Sequence, residues 1–309
     1  MDPSLRGYEL AVLQDAGPAP SDGAAAVEAV AGDLRAVSDA VSRSTPLAQV
    51  LTDELVAKRS KHAVVTDLFS GRIGAPALRV VQRAISTEYS DVFLSALVDA
   101  AEVARQFSDL GPEQFEAEQP LEGRLAARRL AAGYATCVFE DVAQVADIER
   151  VEHELFSFAR VVEQAPALRS ALSDSYRPVG DRRKLVSELL SGRANAVTIR
   201  LARVALYGRV RDPVGSFQWM AERAAEARGW RVARVTSARE LDSAEREEVG
   251  AGLRELTGAP VELLVEIDPE LLGGVVISIG NLLIDSTAEH RLEELEEQML
   301  GSSGALRAG

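Results

Sequence analysis

At 309 residues the chain is long enough for about two domains of roughly 150 residues each. Hydrophobic residues make up 47% and allow a core, but aromatics are only 5%, and Ala and Leu carry most of the apolar content; that favours helices packed through small and straight-chain residues. A formal net charge of -14 sets the chain against phosphate backbones and anionic lipid headgroups, so nucleic acid and direct membrane binding are not expected.

The N-terminal stretch Met1–Leu13 lacks a basic region followed by an apolar run, so no signal peptide is expected. A Gly/Pro/Asp cluster at Ala16–Gly23 interrupts the pattern. Next comes the first half of an internal repeat. Leu34–Ile85 aligns without a gap on Leu155–Leu206, an offset of 121. Leu34/Leu155, Val41/Val162, Leu47/Leu168, Leu51/Leu172, Asp53/Asp174, Val65/Val186, Leu68/Leu189, Arg79/Arg200 and Ala84/Ala205 are identical pairs, and Ser70-Gly71-Arg72 recurs as Ser191-Gly192-Arg193. A shorter echo lies upstream, where Gly7-Tyr8, Val12 and Asp15 match Gly133-Tyr134, Val138 and Asp141.

Between the copies, Ser108–Glu122 is rich in Glu, Gln and Pro and reads as a linker or exposed loop. The second copy reads as a bundle of five or six helices. Ile148, Val151, Leu155, Phe158, Val161 and Val162 form an amphipathic stripe. Pro166 suits the first position of the next helix, and Asp181 can cap the one after it. Gly192 sits where a left-handed C-terminal cap belongs. Two further helices hold Ile199–Leu206 and about Pro213–Arg228. After Gly229 the pattern changes to an extended run at Arg231–Thr236, an Asp242/Glu245 capping box opening a helix to Leu256, strands at Val261–Ile267, Gly274–Ile279 and Leu282–Ile284, and a charged helix at Ala288–Leu300. The expected fold is mainly α: a duplicated helical bundle followed by a small α+β domain. Its boundaries are 1–110, 124–228 and 229–300, with a disordered tail at 301–309.

No catalytic, cofactor or metal constellation emerges. There is no G-x-x-x-x-G-K-[ST] phosphate loop. His62, His153 and His290 lie on different elements, and none sits i, i+4 with another histidine or with Cys137. The single cysteine, Cys137, lies among Ala, Thr and Val and reads as a buried structural thiol. Glu293, Glu294, Glu296 and Glu297 share a helix with Leu292, Leu295 and Met299 and read as a solvated or docking face. Gly273-Gly274 reads as a turn between strands. The most apolar stretch, Leu271–Ile284, is too short to cross a bilayer, which takes about 20 apolar residues.

Ile267-Asp268-Pro-Glu-Leu271-Leu-Gly273-Gly274-Val-Val-Ile-Ser-Ile-Gly280, followed by Asn-Leu-Leu-Ile-Asp285 and Arg291-Leu292, resembles the signature of the F-type ATP synthase delta subunit family, which includes the mitochondrial oligomycin-sensitivity protein. Ser278 stands where that family more often has a charged or amide residue, and Asn281 replaces a common acidic one. Gly133–Asp141 resembles the family's first bundle helix, Leu206-Tyr-Gly208-Arg209 its Gly-Arg after the fifth, and Val151–Arg160 a segment of the longer, actinobacterial-type subunits. The resemblance implies a non-catalytic peripheral-stalk linker, peripheral on the cytoplasmic face of the cell membrane, with no cofactor. Its helical part would bind N-terminal helices of the alpha subunits, and its α+β part the b-type stalk subunits. The implied alpha-binding residues are Tyr134, Ala135, Val138 and Phe139 on helix 127–142, and Ile199, Arg200, Arg203 and Leu206 on helix 196–207. A partner helix would lie between the two helices, with Ala131, Ala135 and Ala202 permitting close approach. The alternatives are a helical-repeat adaptor unrelated to the synthase, argued from the duplication alone, and an enzyme of unknown type.

Overall fold

The computed structural model describes residues 1–17, 23–118, 123–141, 145–174, 176–207, 210–269, 271, 273–279 and 282–287. They fall into two compact units, Met1–Ala224 and Ala225–Gly309.

The first unit is helical. The first copy contributes α1 (Pro3–Ala16), α2 (Gly23–Arg43), α3 (Thr45–Thr52), α4 (Lys58–Phe69), α5 (Ala75–Thr87) and α6 (Phe93–Glu118). The second contributes α7 (Arg124–Asp141), α8 (Val145–Gln164), α9 (Pro166–Ser173), α10 (Val179–Leu190), α11 (Ala196–Ala205) and α12 (Pro213–Ala227). The local signals act as read. Pro166 opens α9. Val151, Leu155, Phe158 and Val162 bury one stripe of α8, while Val161 points outward. Gly71 and Gly192, at φ of 75° and 69°, end α4 and α10 in the left-handed region, so the shared Ser-Gly-Arg encodes one turn used twice.

Polar wiring repeats where the sequences differ. Asp33 on α2 accepts from the Gly74 backbone N–H at 2.7 Å, and Glu154 on α8 accepts from that of Asn195 at 2.7 Å, so one carboxylate meets the N-terminus of each fifth helix. Lys61 Nζ donates to the Leu51 carbonyl at 2.8 Å and Arg182 Nη1 to that of Leu172 at 3.2 Å. The pairs Asp33/Glu154 and Lys61/Arg182 both keep the 121-residue offset, with chemistry conserved and identity lost.

Three expectations need correction. The copies 1–110 and 124–228 are not separate bundles: one continuous core runs from Leu5 to Ala221 through both. The stretch from Ser108 is not a linker as far as Glu118, because α6 continues through it with a break at Gly111 (φ 73°) and Pro112. Phe115 is fully buried there and packs edge-to-face on Phe107 at 5.3 Å, so one aromatic anchors a polar stretch. Asp181 lies inside the first turn of α10, whose cap is Pro178.

The second unit holds β1 (Arg231–Ser237), α13 (Ser243–Thr257), β2 (Val261–Ile267), β3 (Val275–Ile279) and β4 (Leu282–Asp285). The sheet order is β2-β1-β3-β4. β1 pairs parallel with β2 across the α13 crossover, and antiparallel with β3, which pairs antiparallel with β4. Asp242 and Glu245 form the expected reciprocal capping box on α13. Ala233, Val235, Ile277 and Ile279 alternate onto one face and build a core with Leu253 of α13. Pro269 and Leu271 follow β2. Gly273 and Gly274 have φ of 82° and 80°, and a Cβ on Gly274 would collide with the Ser286 carbonyl and come within 2.8 Å of Thr287 Cα. The positive φ explains both glycines, and the close approach adds a second reason at Gly274. The expected helix 288–300 with Arg291 and Leu292, the tail 301–309, Gly280, Asn281, Gly208 and Arg209 lie outside the described residues.

Candidate docking surface and the contact between copies

The expected docking face lies on α7 and α11. In the structure α1 lies along α7. Contacts ordered from Asp2–Arg129 at one end to Tyr8–Glu140 at the other run the two helices in the same direction. Two glycines permit the approach. A Cβ on Gly7 would overlap the Leu130 carbonyl, and a Cβ on Gly133 would overlap that of Ser4. The two contacts are one contact seen twice, since Ser4 and Gly7 stand 126 residues before Leu130 and Gly133.

The polar rim obeys the same exchange. Tyr8 donates to Glu140 Oε2 at 2.6 Å, and Tyr134 donates to Gln14. Arg79 Nε donates to the Tyr8 hydroxyl at 3.4 Å and its Nη2 pairs with Asp141 at 2.8 Å. Arg200 Nε donates to the Tyr134 hydroxyl at 2.9 Å and its Nη1 pairs with Asp15 at 2.6 Å. Burial pushes the Tyr8 phenol far above its ordinary value, and its bond to Glu140 adds to this. Burial opposes the charge on both arginines, but their tyrosine and aspartate partners hold them protonated.

Asp15, Cys137 and Asp141 place three ligand-type atoms within 4.8 Å of one another. Arg200 and Arg79 already neutralise the two carboxylates, and Arg79 Nη2 also meets Cys137 Sγ at 3.0 Å. Burial lifts the thiol to about 12, so it stays protonated, as a structural cysteine does. The cluster is an ion-pair node.

These contacts decide how much of the expected face is accessible. Tyr134, Ala135, Val138 and Leu206 are buried inside the unit. Phe139, Ile199, Arg200 and Arg203 are half-buried, and Arg200 is engaged with Asp15 and Tyr134. The groove expected for a partner helix is thus lined on one side by α1, a segment of the same chain. Sequence reasoning also missed Leu55 and Tyr176. They keep the 121-residue offset, and each backbone N–H donates to the aligned aspartate, Asp53 or Asp174, at 2.8 and 2.9 Å. Both side chains are almost fully exposed, at 94% and 96%. The aligned Asp53/Asp174 pair was the available signal. In the second unit Leu256 and Ile267 are more than half exposed, and Trp230 is exposed to a lesser degree.

Residues 130–299 match the family described as ATP synthase delta (OSCP) subunit. The chain belongs to that family. ATP synthase subunit delta of Salinispora arenicola is 35% identical over 270 residues, which is 87% of either chain. That of Streptomyces avermitilis is 32% identical over 271 residues, 87% of this chain and 88% of its own. That of a Nocardioides species is 33% identical over 302 residues, 96% of this chain and 98% of its own, and so takes in both copies of the repeat. Membership in the delta (OSCP) family makes the chain a non-catalytic subunit of a machine for ATP synthesis and ion transport. It also removes the reading as an adaptor unrelated to the synthase. No helix among the described residues is long and apolar enough to cross a membrane.

Proposed function

We propose that this delta-family chain is the stator linker of a proton-translocating F-type ATP synthase, peripheral on the cytoplasmic face of the cell membrane. It joins the catalytic head to the b-type peripheral stalk subunits and resists the torque of the rotor. The observation that carries this reading is the division into a helical unit and an α+β unit, each with its own core. Two separately cored bodies on one chain suit a part that must hold two partners at once. The helical unit takes N-terminal helices of the alpha subunits at the accessible part of the expected face, Phe139, Ile199 and Arg203. The α+β unit takes the stalk, and its exposed Leu256 and Ile267 supply apolar surface for a partner helix. The test is a pull-down of the full chain with head and stalk fragments separately. Ile199→Asp with Arg203→Glu should lose the head and keep the stalk, and Ile267→Asp the reverse. Retention of both by every variant would overturn the assignment.

A further inference from the structure

We infer that the first copy is the built-in partner of α7: it covers a self-complementary helix face that would otherwise pair with α7 of a second copy of this chain. The family match begins at residue 130, so the family pattern contains one copy of the repeat, and the first copy is an addition to it. Without α1, the strip that Ser4 and Gly7 pack against, Leu130, Gly133 and Tyr134, would lose its cover. A contiguous apolar strip of that kind marks an interaction site.

Reciprocity identifies the occupant. An isologous contact uses one patch twice, so that each side carries both halves of every pair. The second copy does. It has Gly133 to approach a backbone and Leu130 to be approached. It has Tyr134 to donate and Glu140, which already accepts from Tyr8 in the Tyr134 position. It has Arg200 to bridge and Asp141, which already binds Arg79 in the Arg200 position. All six groups are shown in their roles, three against the first copy's helices from each direction. Two α7 helices related by a twofold axis therefore reproduce the glycine, tyrosine and arginine contacts, and only the Asp2–Arg129 pair lacks a counterpart, because Arg128 stands in the Asp2 position. Charge fits at the C-terminal end of the contact, where Arg200 of each chain meets the other chain's Asp141.

The test uses the full chain. Asp2→Arg with Asp15→Arg sets like charges against Arg129 and Arg200 at both ends of the α1–α7 contact, and leaves every group of the α7–α7 pair untouched. Light scattering should show the mass doubling with rising concentration, helix content by circular dichroism should hold, and amides of α1 should lose protection from exchange. Adding Gly133→Val should return the monomer. Gly7→Val, which opens the contact sterically, should behave like the charge reversal. Release of α1 with a monomer at every concentration would overturn the inference. So would a dimer that survives Gly133→Val, since a different surface would then be pairing. If the charge reversal leaves α1 docked, the Gly7→Val chain decides by the same mass measurement.

Discussion

Arg79 and Arg200 stand 121 residues apart and make the same bridge in opposite directions. Each binds the tyrosine on the first helix of its own copy and the aspartate at the end of the other copy's first helix. Neither pair belongs to one copy, so the helical unit is closed twice by one device. Arg200→Met should lower the stability of the helical unit by about 1–3 kcal/mol, the range for removing a hydrogen-bonded charge from partly buried partners. Arg79→Met should cost a similar amount, and urea unfolding of both single variants and the double variant will measure the coupling. Equal stability of wild type and Arg200→Met would show that the bridge is decorative.

The glycines of the α1–α7 contact offer a sharper comparison. Gly7→Ala and Gly133→Ala must push two backbones apart, and each should destabilise by about 1–3 kcal/mol, as overpacked cores do. Gly32 on α2 has nothing within 4 Å of a built Cβ. Gly32→Ala should therefore stabilise by about 0.5–1 kcal/mol through helix propensity alone. Thermal unfolding midpoints should move in opposite directions, and a shared direction would remove close approach as the reason for the first two glycines.

Glu9 on α1 is fully buried, and among the described residues neither carboxylate oxygen has a hydrogen-bond partner. Its pseudo-equivalent on α7 is Ala135. Burial raises its proton affinity well above the ordinary value of 4.5, Arg6 opposes that and Asp99 adds to it. A raised folded value means that the folded chain holds a proton the unfolded chain has released. The contribution of Glu9 to stability is thus fully present below 4.5 and lost as pH rises through the folded value. Glu9→Leu should be more stable than wild type at neutral pH, with the advantage shrinking towards pH 4. Parallel stability–pH curves for the two proteins would refute this.

Glu154 moves the other way. Burial raises it, but its bonds from Thr198, Arg150 and the Asn195 backbone hold it below the ordinary carboxylate range. Its contribution is present above its unfolded value and lost as pH falls through the folded one. Glu154→Gln should therefore cost stability at neutral pH and little in acid, measured by the same titration of unfolding midpoints.

Gly274 tests the second unit. Its φ of 80° and the contact with Ser286 and Thr287 leave no room for a side chain. Gly274→Val should cost about 1–3 kcal/mol and weaken binding of the stalk fragment. Head binding should be unchanged in the same pull-down, and loss of the head instead would reverse the assignment of the two units.

Most elements were legible because their signals are local. Pro166, the Asp242/Glu245 box, Gly192 and the alternation through Val275–Ile279 each act within a few residues. The stretch after Ser108 misled because its composition is polar and a single aromatic, Phe115, anchors it. Asp33/Glu154 and Lys61/Arg182 escaped because identity is a poor measure of equivalence when two different side chains can supply the same donor or acceptor.

The sequence by itself determined the helices, the strands, the duplication with its register, and a family resemblance in Ile267–Gly280 that the match over residues 130–299 supports. The Gly-Tyr echo at residues 7 and 133 was visible too, but its meaning was not. Only the tertiary structure decided that Leu130, Gly133 and Tyr134 meet α1, and that two copies make one core. Periodicity says that a stripe must be buried, and it is blind to which apolar surface does the burying. A groove for a foreign helix and a groove for the chain's own helix have the same composition. The choice between them rests on contacts across more than 120 residues, such as Arg200–Asp15, which no local pattern encodes.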